Sequence, residues 1–247
     1  MSDEPPEPKN LSPLTVIGTV KSPFREKFGI PRQPGLLADI ESDLIFKSPF
    51  GNADAFRGLE GFSHLWVSFI FHAVEQSEFT PLVRPPRLGG NTKVGVFATR
   101  STHRPNRLGL SVGKIVSIQH NPKDETSIRV AGLDLLNGTP IVDIKPYLGW
   151  SDSVSAHESG FAQATPDNTL QVEWTETALR QIEFLKVKPK ECATIEAVLA
   201  LDPRPAYHAA RPPRPSYGVS LYRYNIRFKV DADAPVCRIT EVTLLGE

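Results

Sequence analysis

For roughly its first 150 residues this chain is a series of short apolar runs interrupted by turn chemistry about every 8–12 residues, a pattern that small β architectures satisfy and helical ones do not. Residues 14–20, LTVIGTV, read as a strand that Lys21-Ser22-Pro23 ends. Residues 22–36 hold Pro23, Pro31 and Pro34 and read as a long shaped loop. ADIESDLIF is a second strand. DAFRGLEGF predicts a short helical turn, and HLWVSFIFHAV, rich in aromatic and β-branched residues, suits a buried central strand. Pro85, Pro86, Gly89 and Gly90 turn the chain into a strand around Val94 to Ala98. GLSVGKIVSIQH and SIRVAGLDLL follow, separated by the polar NPKDET. Asn137-Gly138 then sits between apolar runs, a hairpin signal leading into IVDIKPYL. A closed or nearly closed β-barrel, or a sandwich, is expected up to about residue 150.

The composition then changes. GWSDSVSAHESGFAQATPDN is polar and turn-rich and reads as a linker. LQVEWTETALRQIEFLK starts as a strand and becomes an amphipathic helix with Leu179, Ile182, Leu185 and Val187 among charged residues. KECATIEAVLALDPRPAYH is a second helix that Pro203 stops. YGVSLYRYNIRFKVD alternates throughout and reads as one half-buried strand with a basic face, paired with VCRITEVTLL. The expected organisation is a disordered tail at 1–13, a mainly β domain at 14–154 and a small α+β domain at 155–247.

Lys and Arg number 28, and so do Asp and Glu, so the formal net charge is zero. The distribution is uneven. Phe79 to Lys123 carries Arg84, Arg87, Lys93, Arg100, Arg104, Arg107, Lys114 and Lys123 and no acid. Pro203 to Val230 again holds only basic charges. Segregated positive charge attracts polyanions over about a Debye length. No apolar run approaches the roughly 20 residues of a membrane helix. The acidic, Pro-rich N-terminus lacks the basic and apolar regions of a signal peptide. Cys192 and Cys237 are too few for a disulfide framework or a zinc site, which points to a reducing cytoplasm. The six histidines lack metal-ligand spacing, so no metal is expected.

No glycine-rich nucleotide loop, nucleophile elbow or His-Glu-x-x-His pair occurs. The densest chemistry is FATRSTHRPNRLGLS, where Arg100, Arg104 and Arg107 crowd a bend fixed by Pro105 and Gly109. Such a loop suits an anionic or carboxylate-bearing ligand, because guanidinium grips carboxylates bidentately; a purely structural arginine network is the alternative. LDLLNGTPIVDIKPYL places Asp143, Lys145 and Tyr147 at one strand parity and so on one face, either a site or a polar outer wall. DPRPAYH places Asp202 and Arg204 between prolines, as a site or a helix stop.

The segments FGIPRQPGLL, RGLEGFSHLWVSFIFH, RPPRLGGNTKVGVFATRSTHRPN, LDLLNGTPIVDIKPYL and DPRPAY, in that order, resemble the TsaA-like family and, within it, the bacterial tRNA (adenine N6)-methyltransferases (TrmO). The resemblance spans about residues 14–210. The pattern departs from the family's at His103 and at Arg107-Leu108. The resemblance implies an antiparallel β-barrel with a C-terminal appendix, S-adenosylmethionine as cofactor, homodimers, and methylation of N6 of threonylcarbamoyl-adenosine beside the anticodon of threonine tRNA. It implies cofactor contacts from Pro31, Arg32, Gln33, His72, Arg100, Leu110, Leu133, Asp134, Leu135 and Leu136.

The acceptor nitrogen belongs to a urea-like group and is a weak nucleophile, so a carboxylate base is expected, with Asp143 and Asp202 as candidates. Lys145 and Tyr147 are expected to hold the acceptor, and Arg104 or Lys145 to meet the threonyl carboxylate. Arg104, Arg107, Arg204, Arg211 and Arg214 are expected to grip tRNA phosphates, and Tyr207, Tyr222 or Tyr224 to stack on a splayed base. The alternatives are a non-catalytic RNA-binding barrel and a methyltransferase acting on a small molecule.

Overall fold

The computed structural model describes residues 13–75, 78–89, 91–164, 170–204 and 214–246. In chain order the barrel strands are β1 (Gly18–Lys21), β2 (Glu41–Phe46) and β3 (His64–Ile70). A two-stranded ribbon follows, β4 (Leu82–Val83) with β5 (Val94–Gly95). The barrel resumes with β6 (Leu108–Asn121), β7 (Glu125–Ala131) and β8 (Pro140–Pro146). Its order is β1-β2-β7-β6-β3-β8, closed and antiparallel at every seam. Closure leaves the six strands without an unpaired edge. Alternation along β3 sends Leu65, Val67 and Phe69 inward, where they meet Leu44 and Phe46 of β2 and Ile128 and Val130 of β7. Gly109 of β6 faces Phe69, and a Cβ there would lie 2.3 Å from the Phe69 ring.

After the short helix α1 (Gly149–Asp152), β9 (Gln171–Trp174) leads into α2 (Glu176–Phe184), which Thr175 caps by accepting from the Ala178 amide. Next come α3 (Pro189–Ala200), with proline at its first position, and the strands β10 (Tyr217–Leu221), β11 (Tyr224–Val230) and β12 (Val236–Leu244). The sheet order is β10-β11-β12-β9, with β12 and β9 parallel. The expected mainly β architecture with a C-terminal α+β domain is what the structure contains.

Four expectations are corrected. The first strand begins at Gly18 rather than residue 14, although the Ile17 amide still donates to the Ile141 carbonyl at 2.8 Å. The strand expected over 94–98 has two residues and passes into a 3-10 turn at Val96–Ala98. Asn137-Gly138 does not join a β7–β8 hairpin. Its turn is tied to the end of β1: Asn137 N donates to Phe24 O at 2.8 Å and Gly138 N to Val20 O at 2.7 Å, while Asn137 Oδ1 accepts from Ser22 N. The strand expected over 217–231 is a hairpin. It turns at Tyr222-Arg223 with Tyr222 at φ 56°, and burial switches parity there: Leu221 and Tyr224 are both inside.

One segment packs away from its place in the sequence. Residues 22–40 lie between two barrel strands, yet they pack into the second core. Phe24 and Ile40 are buried with Ile195, Val198, Val219, Leu221 and Phe228, and Phe28 stacks on Phe228 with centroids 6.5 Å apart. Phe24 bridges Leu221, Tyr222 N donates to Pro23 O at 2.7 Å, and Ser220 N donates to Glu26 Oε1 at 2.6 Å. The loop thus extends the edge of the C-terminal sheet.

Gly29 permits this packing. Its φ is +91° and a Cβ would lie 2.6 Å from Val219 Cγ2. Gly35 has φ +81° with nothing within 4 Å of an added Cβ. Gly35→Ala is therefore expected to cost only backbone strain, about 1 kcal/mol. Gly29→Ala adds a clash with a buried side chain and should cost about 3 kcal/mol in urea unfolding. Equal losses in the two variants would mean that the loop does not pack on β10.

Candidate functional site

One large cleft, of about 1030 Å³, opens where the shaped loop, the end of β3, the arginine segment and the β7–β8 connection converge. Its size is that of a site for a nucleoside-sized ligand. The loop contributes Lys27 and Ile30 to Pro34, β3 and its exit contribute Trp66, Ser68 and Phe69 with Phe71 to Val74, and β6 contributes Leu108 to Val112. Thr99, Arg100, Thr102 and Arg104 form one lip; Asp134 to Leu136, Val142 and Asp143 complete the lining.

Asp134 is a half-buried carboxylate in the wall of the cleft. Its Oδ1 accepts from the Ser111 hydroxyl at 2.6 Å. Burial pushes its carboxyl above the ordinary range, opposed by the Ser111 hydrogen bond and by the positive charge of Arg100. Arg100 Nη1 donates to Gln33 Oε1 at 2.6 Å, so the arginine segment and the loop meet across the cleft. His72 titrates below its usual value, first because it is partly buried and second because Lys27 repels its charged form. The imidazole is therefore neutral at physiological pH and offers one donor and one acceptor.

On the outer wall, the β3–β8 register skips Val142: Phe69 pairs with Ile141 and Ser68 with Asp143. This bulge brings Val142 and Asp143 side by side into the cleft. Beyond it Asp143 and Lys145 stand opposite Ser68 and Trp66, form an ion pair and remain substantially exposed. Tyr147 lies past the end of β8 against the rings of His64 and Trp66. Asp143, Lys145 and Tyr147 do share a face, but only Asp143 lines the cleft.

Of the residues expected at the cofactor, Pro31, Arg32, Gln33, His72, Arg100, Leu110, Asp134, Leu135 and Leu136 line this cleft. Leu133 does not; it is 2% exposed and packs in the barrel core. Asp202 is not at the cleft either. It sits behind the loop, beside a cavity of about 40 Å³ that Pro31 and Arg32 also line. Its two oxygens hold Arg204 Nε at 2.7 Å and Nη2 at 2.8 Å, with both side chains 11% exposed.

A carboxylate engaged bidentately behind the loop cannot reach a substrate in the cleft, and the same pair withholds Arg204 from a phosphate. Arg204 instead lies over the Tyr217 ring, and its carbonyl accepts from Arg32 Nη2 at 3.3 Å. Arg107 has φ 50° and donates to Val74 O at 3.4 Å. Arg214 is exposed. Arg211 and Tyr207 lie outside the described residues. Tyr222 and Tyr224 are not stacking surfaces: Tyr222 donates to Thr194 Oγ1, and Tyr224 is fully buried with its hydroxyl on Glu191. Sequence reasoning missed Ser111, whose signal was a polar residue inside an apolar strand, and Trp66, which the aromatic run concealed.

Residues 19–153 match the tRNA-methyltransferase O N-terminal domain, and residues 167–243 match the TrmO C-terminal domain. The chain belongs to the tRNA-methyltransferase O family. It is 43% identical over 215 residues to an Escherichia coli (strain K12) protein named tRNA (adenine(37)-N6)-methyltransferase, covering 87% of this chain and 91% of that one. It is 42% identical over 217 residues, with the same two coverages, to a Pseudomonas aeruginosa protein named putative S-adenosylmethionine-dependent methyltransferase RcsF. The crystal structure of TrmO from Pseudomonas aeruginosa superposes with a TM-score of 0.74 at 33% identity, covering 95% of this chain and all of that one. The two matched regions of the family leave residues 22–40 in the N-terminal one, so sequence order and packing divide this chain differently.

The folded pKa of Asp134 is raised, so its contribution to stability is full below the ordinary carboxylate range. It is lost as pH rises through the raised value. Asp134→Asn removes that loss and keeps an acceptor for Ser111. In thermal unfolding the variant is expected to melt at or above the native protein at pH 7, with the advantage vanishing below about pH 4. A variant clearly less stable at pH 7 would contradict the raised carboxyl pKa of Asp134.

Proposed function

We propose that the chain is an S-adenosylmethionine-dependent tRNA methyltransferase that methylates N6 of an adenine next to the anticodon. The observation that carries this reading is the cleft itself: a half-buried carboxylate, Asp134, and a guanidinium, Arg100, face a nucleoside-sized space in a chain that matches the family over both of its domains. The acceptor we propose is threonylcarbamoyl-adenosine in threonine tRNA. We place the enzyme in a reducing cytoplasm, where Cys192 and Cys237 stay free thiols.

The residues present fit the donor. S-adenosylmethionine supplies an electrophilic methyl group on a sulfonium, together with an amino-acid carboxylate and an adenine. Arg100, held by Gln33, matches the carboxylate, and Asp134 matches positive charge. Neutral His72 and the peptide groups of Leu135 and Leu136 offer hydrogen bonds, while Leu110 and Ile30 offer apolar contact.

The acceptor nitrogen must shed a proton as it attacks. Asp143 is the carboxylate at the open side of the cleft, with Lys145 as its ion-pair partner. Arg104, at the opposite lip, faces the threonyl carboxylate of the acceptor, and Arg107, Arg211 and Arg214 add phosphate contacts. The exposed apolar residues Leu14, Leu108 and Leu110 line the cleft where it runs onto the outer barrel wall, so we further propose that a second copy closes the site there.

Methyl incorporation into tRNA with and without the threonylcarbamoyl group tests the reading. Incorporation is expected only with it. Asp143→Asn should lower kcat about 100-fold or more while leaving donor affinity unchanged. Equal incorporation into unmodified tRNA would exclude the proposed acceptor, and no incorporation into either would exclude the reaction.

A further inference from the structure

Exposed aromatic side chains lose free energy in water unless a partner covers them. Among the described residues the most exposed such rings are Trp150, Phe184, Phe97 and Phe79. Trp150 is two residues from Asp152, Phe184 follows Glu183 and Phe79 follows Glu78, whereas Phe97 lies well inside a stretch without acids. Phe97 and Phe79 also meet each other. Phe97 is 71% exposed and Phe79 is 56% exposed, yet they stack on each other with centroids 6.3 Å apart and planes 27° apart. The Arg104 guanidinium lies over the Phe97 ring at 5.8 Å. All three belong to the acid-free segment Phe79–Lys123.

We propose that Phe97, supported by Phe79 and Arg104, is a stacking platform for an unpaired nucleobase flanking the acceptor adenine. The proposal rests on the reading of RNA as the substrate and deepens it by naming where the neighbouring base goes.

Three features favour this occupant. First, the position is right. Arg104 and Thr99 line the donor cleft, and Phe97 lies two residues from Thr99. A base stacked on Phe97 therefore lies one side chain away from an acceptor at the lip.

Second, the platform is held in shape from within. Arg104 Nη1 donates to Thr99 O at 2.9 Å and to Val96 O at 3.4 Å, and the Thr99 amide donates to Val96 O at 3.2 Å. The guanidinium is fixed by carbonyls, and among the described residues no carboxylate forms an ion pair with it. Its positive charge remains available to a phosphate beside the ring, which stays 71% exposed.

Third, charge selects the partner. Arg84, Arg87, Lys93 and Arg100 share this segment with no acid among them. In a two-fold dimer built through this patch, like charges would face like charges. A polyanion with flat, apolar bases satisfies both the rings and the cations.

The test uses the full chain and an anticodon stem-loop RNA carrying 2-aminopurine on either side of the acceptor adenine. Native protein is expected to quench the fluorophore at one of the two positions. Phe97→Leu, which keeps an apolar side chain but no ring, should abolish that quenching. It should raise the RNA Kd and the KM for tRNA about tenfold, with kcat, donor affinity, urea midpoint and the salt dependence of binding unchanged. Phe97→Trp should restore both quenching and affinity.

Unchanged quenching in Phe97→Leu would overturn the proposal, as would an affinity loss carried by a smaller salt slope. Loss of a dimer in sedimentation would also overturn it, by assigning the patch to a second copy. If native protein methylates tRNA but Phe97→Leu does so with the same KM, the platform alone fails. If native protein neither binds nor methylates RNA, the functional reading fails and the platform with it.

Discussion

The structure depends on one crossing. Between β1 and β2 the chain leaves the barrel, adds a bridge to the edge of the C-terminal sheet at Phe24–Leu221, and returns at Ile40. The excursion buries Phe24 and Ile40 in a core they do not share with their flanking strands. It also suspends Lys27 to Pro34 over the barrel mouth, where they form one wall of the cleft. A barrel alone would present a mouth with three sides. The second domain supplies the fourth, through a segment that belongs to the first in sequence.

The Asp202–Arg204 pair secures the back of that wall. Both groups are nearly buried and bidentately joined, so neither is left unpaired in a low dielectric. Asp202 adopts φ 47°, which bends the chain after α3 so that Arg204 reaches back across it to Tyr217. The Arg204 carbonyl then accepts from Arg32, a residue of the cleft. Burial also explains the neighbouring Cys237, whose thiol is pushed up to about 12 and stays protonated. This pair supports the loop from behind, and the carboxylates that line the cleft, Asp134 and Asp143, lie on the loop's other side.

Much of this was legible from residue patterns. Period-two burial in HLWVSFI and in YNIRFKV, and the capped helices after Thr175 and before Pro203, appear where apolar spacing places them. What was not legible has physical reasons. The turn at Tyr222-Arg223 uses a tyrosine at positive φ and is held by Pro23, a residue about 200 positions away, so no local turn signal marks it. Asn137-Gly138 does make a turn, but the strand it serves is chosen by the hydrogen bonds that β1 offers. Asp202 looked like a free acid because nothing in DPRPAY states that Arg204 folds back onto it. The arginine segment was conspicuous as charge, whereas the exposed ring beside it, Phe97, read as one more apolar residue of a strand that proved to be two residues long.

The central claim is that the donor cleft is walled by a loop folded into the second core. Amide hydrogen exchange on the full chain, with and without S-adenosylmethionine, tests it most directly. The account predicts that the donor raises protection in residues 24–37 and, together with them, in β10 from Val219 to Leu221, which hold that loop by backbone hydrogen bonds. Protection confined to β3, β6 and the β7–β8 connection, with the loop and β10 unchanged, would contradict it.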